Sequence, residues 1–239
     1  MSPNLIIDAS FIAAAFLFIY GLKRMSSPVT ARSGIVVAGY GMLVAVLASF
    51  LYYFGVTEAA KPHLAANAAI AAIALIIGVA WAWWSGKKVE MTAMPQMVAL
   101  YNGMGGGSAA AIAAMVLLQP VTEGAASHGA VHYIVTIFGG LIGAVSLSGS
   151  LIAWAKLDGR INGTWRFTGL QAVNGAFFLA TLGLGLYIAF GAHGHAPVWM
   201  TASFFILALI FGVLMTMPIG GADMPVVISL YNAFTGLAV

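Results

Sequence analysis

Two asparagines set deep in apolar helices are the residues of this chain best placed to do chemistry. Asn102 closes the run Met94-Pro95-Gln96-Met97-Val98-Ala99-Leu100-Tyr101-Asn102. The pattern returns 130 positions later, without a gap, as Met224-Pro225-Val226-Val227-Ile228-Ser229-Leu230-Tyr231-Asn232. In each copy a proline stands at the helix mouth, where its missing N–H costs nothing, and the asparagine follows about two turns further in. An amide at that depth in hydrocarbon is costly unless something satisfies it. Two amides at matching positions of a repeat predict a paired polar site inside a membrane protein.

Other polar residues fall in stripes. Gly139, Gly143, Ser146 and Ser150 share one face of a helix by seven-residue spacing. Gln171, Asn174, Thr181 and Gly185 lie on one face of the next. Ser229, Asn232 and Gly236 share a face of the last, with Thr235 at its edge. The plain reading of such stripes is close helix packing, and the matched depth of Asn102 and Asn232 argues for more. Asn102, Ser150 and Asn232 are expected to face a common interior region. Asp8, Glu58, Glu90, Glu123, Asp158 and Asp223 are all terminal or in loops, and no basic residue is expected at depth. A proton or ion pathway would therefore run through amides, hydroxyls and water, with the titrating group at an end or on another chain. The cluster Gly103-Met104-Gly105-Gly106-Gly107-Ser108 lacks the lysine of a phosphate loop and follows no strand, so it reads as a close-approach surface. Of the histidines His63, His128, His132, His193 and His195, none has carboxylate or thiolate support for a metal. His132 stands out because it heads the glycine-serine helix.

The elements that must position these groups are spanning helices. A mean hydropathy of +1.02, with 62% hydrophobic and 6% charged residues, marks an all-α polytopic membrane protein. Eight apolar segments are expected, at 5–22, 34–55, 64–84, 95–118, 131–155, 168–191, 198–218 and 225–239, forming one domain across 1–239. The first three and the seventh carry few polar residues and are expected to be lipid-facing scaffold. Lys23, Arg24, Arg32, Lys87, Lys88, Lys156, Arg160 and Arg166 fall in alternate loops on one side, and only Lys61 on the other. This places the N-terminus outside. The net charge of +3 is that asymmetry and no argument for nucleic acid. The last segment has 15 residues before Val239, too few to span, so a ninth helix is expected beyond it.

Three stretches together carry a resemblance: Lys87-Lys88-Val89-Glu90-Met91-Thr92-Ala93-Met94-Pro95, then Gly140-Leu141-Ile142-Gly143-Ala144-Val145-Ser146-Leu147-Ser148-Gly149-Ser150, then Gly220-Gly221-Ala222-Asp223-Met224-Pro225-Val226-Val227. The chain resembles the membrane part of the beta subunit of proton-translocating NAD(P) transhydrogenase, through nearly its whole length. The resemblance implies coupling of hydride transfer between NADH and NADP to proton movement across the inner (cytoplasmic) membrane. It implies nine beta-subunit helices followed by an NADP(H)-binding domain, alpha-part helices with an NAD(H)-binding domain, and a dimer of alpha-beta units. No cofactor is expected in this stretch itself, and no hydride transfer by it alone. Asn102 falls where many members carry a protonatable histidine. Ser150 and Asn232 match polar residues of the family's proton path, which Ser146, Thr235 and His132 would extend. Asp223 and Glu90 match the cytoplasmic end that couples to the NADP(H) domain. Since an amide does not titrate near pH 7, the resemblance implies a proton-storing histidine on an alpha-part helix near Asn102.

The alternative from the residues alone is a secondary transporter with two parallel halves and a midplane site at Asn102 and Asn232. A dinucleotide fold after Val239 would mark the first reading, and further membrane helices alone the second.

Overall fold

The computed structural model describes residues 3–55, 63–118, 130–191 and 196–238, and within them the chain is helical. The helices are α1 (Pro3–Met25), α2 (Ala31–Gly55), α3 (Leu64–Lys88), α4 (Met94–Leu118), α5 (Ala130–Leu157), α6 (Leu170–Leu186), α7 (Val198–Thr216) and α8 (Met224–Ala238). All eight expected segments are present; α1, α2 and α3 run about a turn longer at one end, and α7 ends at Thr216, short of the expected 218. Among the described residues seven helices are long and apolar enough to cross a membrane, whereas α8, at 15 residues, is shorter. The chain is a multi-pass helical membrane protein.

Two units divide it, residues 1–87 and 88–239. In the first, α1 and α2 form a hairpin whose helices meet at glycines. A Cβ added to Gly34 would stand 2.7 Å from Gly21 O, so only glycine permits this approach. The turn between them is tied by Arg24 Nε donating to Ser33 Oγ at 3.0 Å and Thr30 Oγ1 donating to Arg24 O at 2.6 Å. Helix α3 buries no residue, and its basic end carries exposed Trp81, Trp83 and Trp84. The Lys87 ammonium lies 3.9 Å from the centre of the Trp83 ring, the aromatic-plus-cation pattern that anchors a helix at a membrane surface.

In the second unit α5 is the central element, packed against α4, α6, α7 and α8. Its Ile137, Ser146, Ser150 and Ala153 are fully buried. Glycines set the spacing to α4: a Cβ on Gly106 would stand 2.8 Å from Gly143 O and from Ser146 Cβ. The glycine cluster thus packs a helix, as its composition suggested. Helix α7 departs from expectation. It buries Thr201, Phe204, Ala208, Gly212 and Thr216 along one face against α5, and belongs to the core. A lipid-facing helix and a core-facing helix are equally apolar in a membrane, so hydropathy does not separate them. Helix α6 ends a turn early, at Leu186, and continues as a π turn over Tyr187–Gly191 with Ile188 and Ala189 buried.

The sequence repeat is also a repeat of backbone. The 3-10 turn Met91–Ala93 leads into α4 and the 3-10 turn Gly221–Asp223 leads into α8. The residues before them, Glu90 and Gly220, share φ of −72° and −70° and ψ of 152° and 154°. The two helices therefore start alike and differ in which face the unit covers.

Candidate functional site: a polar seam between three helices

The buried amide of Asn102 begins a chain of hydrogen bonds. Only 7% exposed, its Nδ2 donates to Ser150 Oγ at 2.9 Å and, more weakly, to Ser146 Oγ at 3.5 Å. Ser146 Oγ lies 2.6 Å from Thr235 Oγ1 on α8, and both hydroxyls reach Tyr231 O, at 3.1 and 2.9 Å. Asn102, Ser150, Ser146 and Thr235 thus join α4, α5 and α8 into one seam. They meet because the helices close to glycine-to-backbone distance: Gly103 lies opposite Ser150, Gly106 opposite Ser146, and Gly105 beside the Thr235 methyl.

The seam can hold its protons in two orders. Either Ser146 donates to Thr235 while Thr235 donates to Tyr231 O, or Thr235 donates to Ser146 while Ser146 donates to that carbonyl. Reversing one order into the other shifts hydrogen-bond direction without moving a helix. Asn102 Oδ1 is buried and has no hydrogen-bond partner among the described residues, which costs roughly 1–3 kcal/mol if left dry. An acceptor in that position favours a water or a donor from another chain.

Asn232 departs from the expected common region. It is exposed, while Tyr231 beside it is fully buried; in the first copy Tyr101 is exposed and Asn102 buried. One residue along a helix is a rotation of about 100°, so α4 and α8 turn different faces of the same motif toward the unit. The stripe Ser229, Asn232 and Gly236 lies on the uncovered side of α8, and Thr235, at its edge, enters the seam. On α6, Gln171 is exposed, while Thr181 and Gly185 are buried further along. His132 is exposed at the start of α5, its ring edge-on to Tyr133 at 5.7 Å between centroids. Glu90 and Asp223 are exposed at the two helix entrances. Lys61, Glu58, Glu123, His128, His193 and His195 lie outside the described residues.

Two features escaped the sequence reading. Tyr231 Oη lies 2.6 Å from Thr216 Oγ1, and its ring fills the space over Gly149, where a Cβ would stand 2.5 Å away. The repeat flagged Tyr231 through its partner Tyr101, yet only packing makes it a core residue. The second is Lys156, counted among the loop charges. It lies in the last turn of α5, is 7% exposed, and donates to Met217 O at 2.5 Å and Ile219 O at 2.7 Å.

A bundle of apolar spans with a buried amide-hydroxyl seam, and no carboxylate within the seam among the described residues, defines a membrane protein built to order hydrogen bonds at depth. The chain belongs to the NAD(P) transhydrogenase beta subunit family, whose model matches residues 7–239. Two similar proteins, both named NAD(P) transhydrogenase subunit beta and both from Rhodospirillum rubrum, are 36% identical to it over 233 residues. The match takes in 96% of this chain and 47% of each relative, so the chain spans about half the length of the curated relatives it matches.

Proposed function

We propose that this chain is the proton-conducting membrane part of a transhydrogenase, coupling proton translocation across the inner membrane to hydride transfer between NADH and NADP. Family membership and seven spanning-length helices support the reading. The observation that carries it is the seam from Asn102 through Ser150 and Ser146 to Thr235, with one amide oxygen left over. Hydroxyls relay hydrogen bonds in either direction, and an amide orders water without storing the proton.

In this reading the store is a histidine on an alpha-part helix, whose ordinary pKa of about 6.5 lets modest changes in hydration load and release a proton. The uncovered Ser229, Asn232 and Gly236 face and the free Asn102 oxygen are where such a helix would complete the path, with His132 at its outer end. Asp223 and Glu90, at the entrances of α8 and α4, face the NADP(H)-binding domain. The NAD(H)-binding domain belongs to the alpha part, and the working assembly is a dimer of alpha-beta units. A symmetric midplane site, as in a parallel-repeat transporter, is disfavoured by the opposite burial of Asn102 and Asn232.

The test is Asn102→Leu in the complete enzyme, in sealed vesicles. Removing the amide while keeping the volume should lower proton pumping by roughly 10-fold or more, as loss of a buried polar relay costs about 1–3 kcal/mol. Wild-type pumping by that variant would refute the seam as the path.

A further inference from the structure

Lysine at the inner end of a spanning helix ordinarily extends its amine to the membrane surface. Lys156 does otherwise. The residue is almost fully buried, and its ammonium donates to carbonyls just past the end of α7, Met217 O at the C-cap and Ile219 O in the connection that follows. The carbonyl between them is taken as well, by Arg166 Nε donating to Pro218 O at 3.0 Å, and the Trp165 N–H adds a bond to Met217 O at 3.3 Å. Three successive carbonyls are thus held by α5 and the segment that follows it. The end of a helix carries the negative pole of its dipole and unpaired carbonyls, a setting that compensates the two neighbouring cations, the Lys156 ammonium and the Arg166 guanidinium.

The held segment has a consequential position. Residues 217–219 lead directly into the 3-10 turn Gly221–Asp223 and then into α8. Ile219 packs against the two hydrophobic clusters of this unit, one of which includes Met224 at the start of α8. Thr216, just before the segment, bonds to Tyr231 of α8. From Lys156 back along α5, Ser150 and Ser146 lie on the same rigid element. The basic end of this unit and the polar seam therefore share one helix, one connection and the lysine that joins them.

We infer that Lys156 is a positioning residue for coupling: it ties the α7–α8 connection, with Asp223 on it, to α5, so that displacement of that connection is delivered to the Ser146–Thr235 pair. The inference rests on the proposed role of the seam in proton translocation. Lys156 itself carries no proton in it. Without the tie, Asp223 and the start of α8 can move while α5 stays still, and the two ends of the mechanism slip.

The experiment uses Lys156→Met and Lys156→Arg in the complete enzyme. Protons moved per hydride transferred are measured in sealed vesicles, and amide hydrogen exchange at 217–224 in the same preparations. The methionine variant should speed exchange at 217–224 while α5 stays protected, and lower the proton-to-hydride ratio by about fivefold or more, the scale of a typical coupling free energy. Hydride transfer itself should persist. The arginine variant, which keeps a cation able to reach the same carbonyls, should restore both readouts. Unchanged exchange at 217–224 in the methionine variant would overturn the tie, and an unchanged ratio despite faster exchange would overturn its role in coupling. If the methionine variant does not accumulate folded, Lys156→Gln, which retains an N–H donor, is judged by the same two readouts. A wild-type enzyme that transfers hydride without moving protons would refute the proposed function instead, and would leave the exchange result standing.

Discussion

Ser146 is the residue on which the seam turns, because it links the Asn102 amide of α4 to the Thr235 hydroxyl and the Tyr231 carbonyl of α8. Its removal leaves Thr235 bonded only within its own helix. Ser146→Ala is therefore expected to cut proton pumping in the complete enzyme while leaving the thermal midpoint in detergent nearly unchanged. Tyr231→Phe is the contrasting case. It deletes the bond to Thr216, but Thr216 Oγ1 still donates to Gly212 O at 2.8 Å, so no buried group is orphaned. The expected cost is about 1 kcal/mol of stability, with pumping retained. Melting both variants and assaying both in vesicles separates a relay hydroxyl from a packing one. The seam residues were readable from type and spacing, since Ser146, Ser150 and Asn102 stood out as polar groups in apolar helices. Which of Asn232 and Thr235 would join them was not, because adjacent positions on a helix differ only by rotation.

At the scale of the elements, the approach of α4 to α5 is set by glycine. A Cβ on Gly106 meets the Gly143 carbonyl and the Ser146 Cβ, both at 2.8 Å, and neither backbone can yield cheaply. Gly106→Ala should destabilise the unit by about 1–3 kcal/mol, as overpacking does, and should disturb the seam in the same stroke. Gly183, on α6, has open space where a Cβ would go, with no atom within 4 Å. Gly183→Ala should be neutral or stabilise by roughly 0.5–1 kcal/mol, since alanine is the better helix former. Detergent melts of the pair decide the point, and equal destabilisation by both would sink the packing argument. The glycine cluster announced a close approach in the sequence. Its partner, the Gly143 turn of α5, was recognisable only as another small-residue stripe. The core role of α7 was hidden by its uniform apolarity, which serves lipid and protein neighbours equally.

For the whole molecule, the placement of Lys87, Lys88 and Lys156 at the ends of α3 and α5, with Arg160 and Arg166 in the connection after α5, predicts a cytoplasmic basic side. The chain contains no cysteine, so single introduced thiols report sidedness cleanly. Thr164→Cys, exposed in the connection after α5, should react with an impermeant thiol reagent only from the cytoplasmic face, and Asn67→Cys, exposed near the other end of α3, only from outside. Reversed labelling would overturn the assigned orientation. The sequence alone determined the membrane class, the eight helices, the repeat and the family, because hydropathy, spacing and motif are properties of residue order. Tertiary structure decided the rest. It buried Asn102 and uncovered Asn232, moved α7 into the core, and turned Lys156 from a loop charge into a tie across helix ends. Each of those outcomes depends on which face of a helix meets which neighbour, and a one-residue rotation that leaves the apolar pattern intact is enough to reverse it.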